Sequence, residues 1–99
     1  MVEWWKKEGE KIYEVLGGCV ARSLEEENPE MAIICAKPLV KLAEVERANY
    51  FGYEGRYNYN SAIELSKKAV KLAEKEGVPF FMKDDLVEIK KTIKDLGFE

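Results

Sequence analysis

Apolar residues recur at helical spacing along nearly the whole chain, and polar residues fill the positions between them. From about 3 to 26 the apolar stripe is Trp5, Ile12, Leu16, Val20 and Leu24, with Cys19 beside it, the 3.6-residue period of an amphipathic helix. Gly17 and Gly18 interrupt this segment, at a cost of roughly 1 kcal/mol each relative to Ala. The stripe stays in phase across the pair, so a continuous or slightly kinked helix is predicted rather than a break. There Gly9, Gly17, Gly18 and Ala21 allow close approach by a neighbouring helix. A phosphate-binding turn would need a strand before the glycines and a longer Gly-rich pattern after them, and neither is present.

Asn28-Pro29 ends the first helix and opens the second, since Asn caps well and Pro is favoured at the first helical position. From 29 to about 51 the stripe is Met31, Ile34/Cys35, Leu39/Leu42, Val45, Ala48 and Phe51. Pro38 lies inside it. A proline there removes one backbone hydrogen bond and crowds the preceding turn, which predicts a kink near 34–38. Residues 52–60 read as a loop. A helix over 61–76, capped by Asn60 or Ser61, carries the stripe Ala62, Leu65, Ala69, Leu72 and Ala73 and stops at Gly77. Val78 to Met82 form an apolar linker expected to pack under the helix ends. A last helix starts at Asp84 or Asp85, with Asp85 and Glu88 as a capping box, and buries Leu86, Ile89, Ile93 and Leu96 before Gly97 closes it. No useful length of β-alternation exists. The predicted fold is all-α: one domain over 1–99, a small antiparallel bundle of four to five helices arranged as helical hairpins, with one helix kinked at Pro38.

Composition narrows the chemistry. The chain has no histidine, which excludes His-based nucleophilic triads, His-ligated zinc and Glu-x-x-His di-iron sites. It has no glutamine and one threonine against abundant Lys and Glu, the trend of hyperthermophile proteins. The formal net charge is −3, and the acidic excess lies wholly in residues 1–61, which argues against a primary nucleic-acid binder. No segment approaches the length of an uninterrupted apolar membrane span, and the N-terminus lacks the features of a secretory signal, so a cytoplasmic location is expected. Cys19 and Cys35 stand in apolar surroundings and read first as small core residues. A disulfide between facing helices is the geometric alternative. The acidic run Glu25-Glu26-Glu27 with Glu30 reads as a solvated helix end. Carboxylate pairs such as Glu10/Glu14 lie outside the main stripe, and acid–base catalysis needs a carboxylate desolvated in a pocket. No catalytic residue, metal site or cofactor is predicted.

The one local departure from helical monotony is the stretch Asn49–Ser61, which holds four of the five tyrosines. Tyr, Asn, Gly and Arg together suit binding surfaces, because they combine rigid contact area with adaptable hydrogen bonding. Tyr50, Tyr53, Arg56, Tyr57 and Tyr59 are therefore the predicted partner-binding residues. The plain alternative is packing at a domain edge, with the hydroxyls in water. Base stacking suits aromatics beside Arg56, but Glu44, Glu46 and Glu54 oppose it. Adjacent tryptophans on a helix point about 100° apart, so Trp4 and Trp5 cannot both face one small core; they are the predicted self-association residues, as in a homodimer. Lys67, Lys71 and Lys75 form a row along one helix, balanced by Glu64, Glu74 and Glu76. With Lys83, Lys90, Lys91 and Lys94 of the next helix they could merge into a basic patch.

Ala48 and Phe51 before the turn, Gly55 and Tyr57 at it, and Ala62 and Ala69 after it resemble a tetratricopeptide-type repeat or the related three-helix MIT domain. The likeness covers 43 to 77. It departs from the pattern by about two extra turn residues between Gly55 and Ala62, and no second copy stands at the repeat period. The resemblance implies peptide or protein binding rather than catalysis. The expected function is thus a non-enzymatic helical protein-interaction or regulatory module using the 50–61 surface. The alternatives are a nucleic-acid-associated accessory protein using the Lys-rich face and a non-catalytic subunit of a larger enzyme.

Overall fold

Asn28 and Pro29 divide the first two helices as their chemistry requires. The Asn28 side chain accepts from the Met31 amide at 3.1 Å, and Pro29 occupies the first helical position, where no intrahelical N–H is needed. Just upstream, Glu27 takes a left-handed φ of 52°. Its amide bonds back to Leu24 and that of Asn28 to Ser23, the paired bonds of a Schellman stop with Glu where glycine is usual. The computed structural model describes residues 4–49 and 57–97, with side chains described for 8–48 and 57–97. It contains α1 (Trp4–Glu25), α2 (Pro29–Asn49), α3 (Tyr59–Glu76) and α4 (Lys83–Asp95), with a 3-10 turn at Phe80–Met82 before α4. Among the described residues there is no strand.

α2 runs unbroken through Pro38 and packs against all three other helices. It buries Ala32, Ile33, Ala36, Leu39, Val40 and Ala43, a face wider than a single stripe. The apolar face expected for this helix is therefore rotated: Met31, Ile34 and Val45 are exposed, and Ala48 is exposed too. In α1 the expected stripe holds at Val20, which is fully buried, and at Leu16 and Leu24, which pack against the core, but fails at one position. Ile12 is 46% exposed, whereas its neighbour Tyr13 is fully buried. The Tyr13 hydroxyl donates to a carboxylate oxygen of Glu46 on α2, itself buried, which supplies the polar partner that a buried tyrosine needs.

α3 begins two residues before its expected start. Asn58, not Asn60 or Ser61, is the cap: its side chain accepts from the Ser61 amide at 3.2 Å while the Ser61 hydroxyl accepts from the Asn58 amide at 2.8 Å. Gly77 ends the helix as expected, with φ 85° and its amide on the Ala73 carbonyl. The following linker only half fits the expectation. Met82 is buried, but Phe80 and Phe81 stand 86% and 78% exposed. α4 begins at Lys83 with Met82 at the cap position and no side-chain cap, ahead of the expected start at Asp84 or Asp85, so the expected capping box is absent; Asp85, inside the first turn, and Glu88 meet lysines of α2. Ile89, Ile93 and Leu96 are buried as expected.

Candidate functional site

Of the five tyrosine-stretch residues expected to bind a partner, Tyr50, Tyr53 and Arg56 lie outside the described residues. Tyr57 is half-buried and packs on the core. Its ring covers Gly17 of α1 so closely that a Cβ at Gly17 would stand 2.5 Å from Tyr57 Cγ. Tyr59, also half-buried, opens α3, and its hydroxyl accepts from Arg47 Nη1 at 3.4 Å. The same nitrogen donates to the Leu96 carbonyl at 2.6 Å, satisfying a backbone acceptor at the end of α4. These two tyrosines are built into the seam where the helices meet. The side chains of Trp4 and Trp5 are outside the described set.

The lysines of α3 and α4 do converge. Lys67 and Lys71 from α3 and Lys90, Lys91 and Lys94 from α4 line one open groove of about 590 Å³, together with Glu74 and the apolar side chains Val70, Val87 and Ile93. Helical phase explains the arrangement. Residues 67, 70, 71 and 74 share one face of α3, and 87, 90, 91 and 94 share one face of α4. Lys90 pairs with Glu74 at 2.8 Å across the groove. Lys67, Lys71, Lys91 and Lys94 have no carboxylate partner among the described residues. Phe80 and Phe81 project from the connection between the same two helices.

The contrast lies between α2 and α4, where charge is consumed internally. Lys37 Nζ meets Asp85 at 2.7 Å and Glu88 at 3.6 Å, and Lys41 Nζ meets Glu88 at 3.2 Å. The hydrogen bond from Lys41, with the charge of Lys37, holds the Glu88 carboxyl below its ordinary range. The hydrogen bond to Asp85, with its charge, raises the Lys37 ammonium above its ordinary value.

A second groove, of about 500 Å³, lies on α1 and the start of α2, lined by Val15, Gly18, Cys19, Arg22, Ser23, Glu26, Asn28 and Met31. Cys19 and Cys35 form a disulfide joining α1 to α2, with Cα atoms 6.1 Å apart. They are therefore a covalent staple rather than the two separate small core residues first read from the sequence. Glu25, Glu26, Glu27 and Glu30 are all exposed. Among the described residues no cluster of three or more His, Cys, Asp or Glu side chains could hold a metal ion, and no helix is long and apolar enough to cross a membrane. Comparison with known proteins finds no matching family model, no matching curated protein and no matching solved structure.

Proposed function

We propose that this chain is a small protein-interaction module, an antiparallel bundle of helical hairpins bent near Pro38, whose α3/α4 groove docks an acidic amphipathic segment of a partner protein. One observation carries the reading. The groove joins an apolar floor of Val70, Val87 and Ile93 to four lysines that no carboxylate of the described residues neutralises. Apolar side chains of a docked segment would gain from leaving water on such a floor, at roughly 25 cal/mol per Å² buried. Carboxylates flanking them would meet the lysine rim, which steers encounter and fixes orientation. Phe80 and Phe81 add aromatic area of the kind that anchors interfaces. The lysine rim alone would also suit phosphates. However, the residues lining the groove include no aromatic ring, and single-stranded nucleic acid binding relies on aromatic platforms along the track that its bases follow; Phe80 and Phe81 stand outside that lining.

The reading keeps the class expected from the sequence, a protein-binding module, and moves the surface from the tyrosine stretch to the α3/α4 groove. Self-association through Trp4 and Trp5 stays a separate proposal, checked by sedimentation of Trp4→Ala. Fluorescence anisotropy tests the groove. A labelled amphipathic peptide rich in Glu and Leu is expected to bind, and Lys71→Glu with Lys91→Glu, both at exposed positions, is expected to abolish binding without changing the helical circular dichroism. Tighter binding of a single-stranded oligonucleotide with a steep salt dependence would favour a nucleic-acid role instead. Absence of binding to either probe would count against the groove.

A further inference from the structure

We propose that Cys19 is a covalent thiol-exchange site, at which a low-molecular-weight thiol opens the Cys19–Cys35 disulfide and leaves a mixed disulfide on Cys19. The two sulfurs differ in access. Cys35 is 8% exposed within the core, whereas Cys19 is half-buried and lines the open groove on α1. The Cys19 side is therefore the more open of the two to an incoming thiol.

Gly18 supplies the second observation. Unlike Gly17, which the Tyr57 ring requires, Gly18 has nothing within 4 Å of the place a Cβ would occupy, and it does not adopt positive φ. A glycine in a helix interior costs roughly 1 kcal/mol relative to Ala, and neither packing nor backbone geometry explains this one. Its effect is to keep the groove wall beside Cys19 clear. Arg22, one turn on, lines the same groove and offers a cation to an anionic thiol such as a carboxylate-bearing peptide thiol. Glu26 lies on the same rim and partly offsets it. The Ser23 hydroxyl is already committed to the Cys19 carbonyl at 2.8 Å.

The step balances without further reagents. The thiolate of the small thiol attacks Cys19 Sγ, the bond between Cys19 Sγ and Cys35 Sγ breaks, and Cys35 departs with the electron pair. The proton lost by the attacking thiol neutralises Cys35, since a buried thiolate is disfavoured. The small thiol's sulfur is oxidised and the Cys35 sulfur is reduced. The reverse attack of Cys35 on the mixed disulfide expels the small thiol and reseals the staple.

Two measurements with glutathione test the assignment. In the first, Cys35→Ala and Cys19→Ala, each shown folded by circular dichroism, are treated with oxidised glutathione and adducts are followed by intact mass. Cys35→Ala, which keeps Cys19, is expected to gain glutathione severalfold faster than Cys19→Ala. In the second, the oxidised chain is reduced by excess glutathione. Gly18→Ala should slow the rate modestly, and Gly18→Leu, with a similar helix propensity, should slow it severalfold by filling the groove. Equal or inverted adduct rates in the first measurement, or equal rates for Gly18→Ala and Gly18→Leu in the second, would overturn the proposal.

Discussion

Single glycines in α1 separate two uses of the same residue. Gly17 exists for Tyr57, whose ring lies where a side chain would stand. Gly18 faces open space. The pair therefore makes opposite predictions from one chemical change. Gly17→Ala should lower stability by about 1–3 kcal/mol, because overpacking against an aromatic ring exceeds the gain in helix propensity. Gly18→Ala should raise stability by up to about 1 kcal/mol. Thermal or denaturant unfolding of the two variants decides the matter, and equal shifts would contradict the packing described. Tyr13 and Glu46 make a related point. A charged residue and the one tyrosine outside the aromatic stretch form the buried polar contact between α1 and α2. Periodicity does not reveal this contact, since Ile12 looks the better core residue one position away.

Among the helices, the α1/α2 boundary and the stops were legible because they rest on local chemistry: Asn28-Pro29, Gly77 and Gly97 act through backbone geometry within a few residues, whereas α3 and α4 start ahead of their expected caps. Helix phase was less legible. A single apolar stripe presumes one narrow buried face, whereas α2 meets three neighbours and buries Ala32, Ile33, Ala36 and Val40 across an arc broader than one stripe and offset from the expected one. The capping box expected from Asp85 and Glu88 failed because α4 starts at Lys83, which places Asp85 inside the first turn. Tertiary lysines, invisible to local pattern, claimed both carboxylates. That cluster has a pH signature. The Glu88 carboxyl is held below its ordinary 4.5, so its contribution is present above that value and is lost as pH falls through the lower folded value. Lys37, raised above 10.5, contributes below that value and loses its effect as pH rises through the folded one. Glu88→Gln should therefore be less thermostable than the parent at neutral pH and indistinguishable from it in strong acid, and added salt should narrow the neutral gap. A gap that persists unchanged in acid would assign the difference to packing instead.

At the scale of the whole molecule, charge is unevenly spent. Lysines of α2 are neutralised against α4, while Lys67, Lys71, Lys91 and Lys94 look outward over an apolar floor without partners among the described residues. Each lysine row and their merging into one patch were legible in the sequence, but the apolar floor between them was not, because it depends on how α3 and α4 fold back across the Gly77–Met82 connection. The aromatic stretch drew the functional expectation, yet the two of its tyrosines that can be placed, Tyr57 and Tyr59, are structural seams. The groove is the central claim, and amide chemical-shift mapping of the ¹⁵N-labelled chain during titration with the acidic amphipathic peptide tests it most directly. The account predicts saturable shifts confined to residues around Lys67–Glu74 and Val87–Lys94, extending to Phe80 and Phe81. Shifts centred instead on α1 and the tyrosine stretch, or none at saturating peptide, would contradict it.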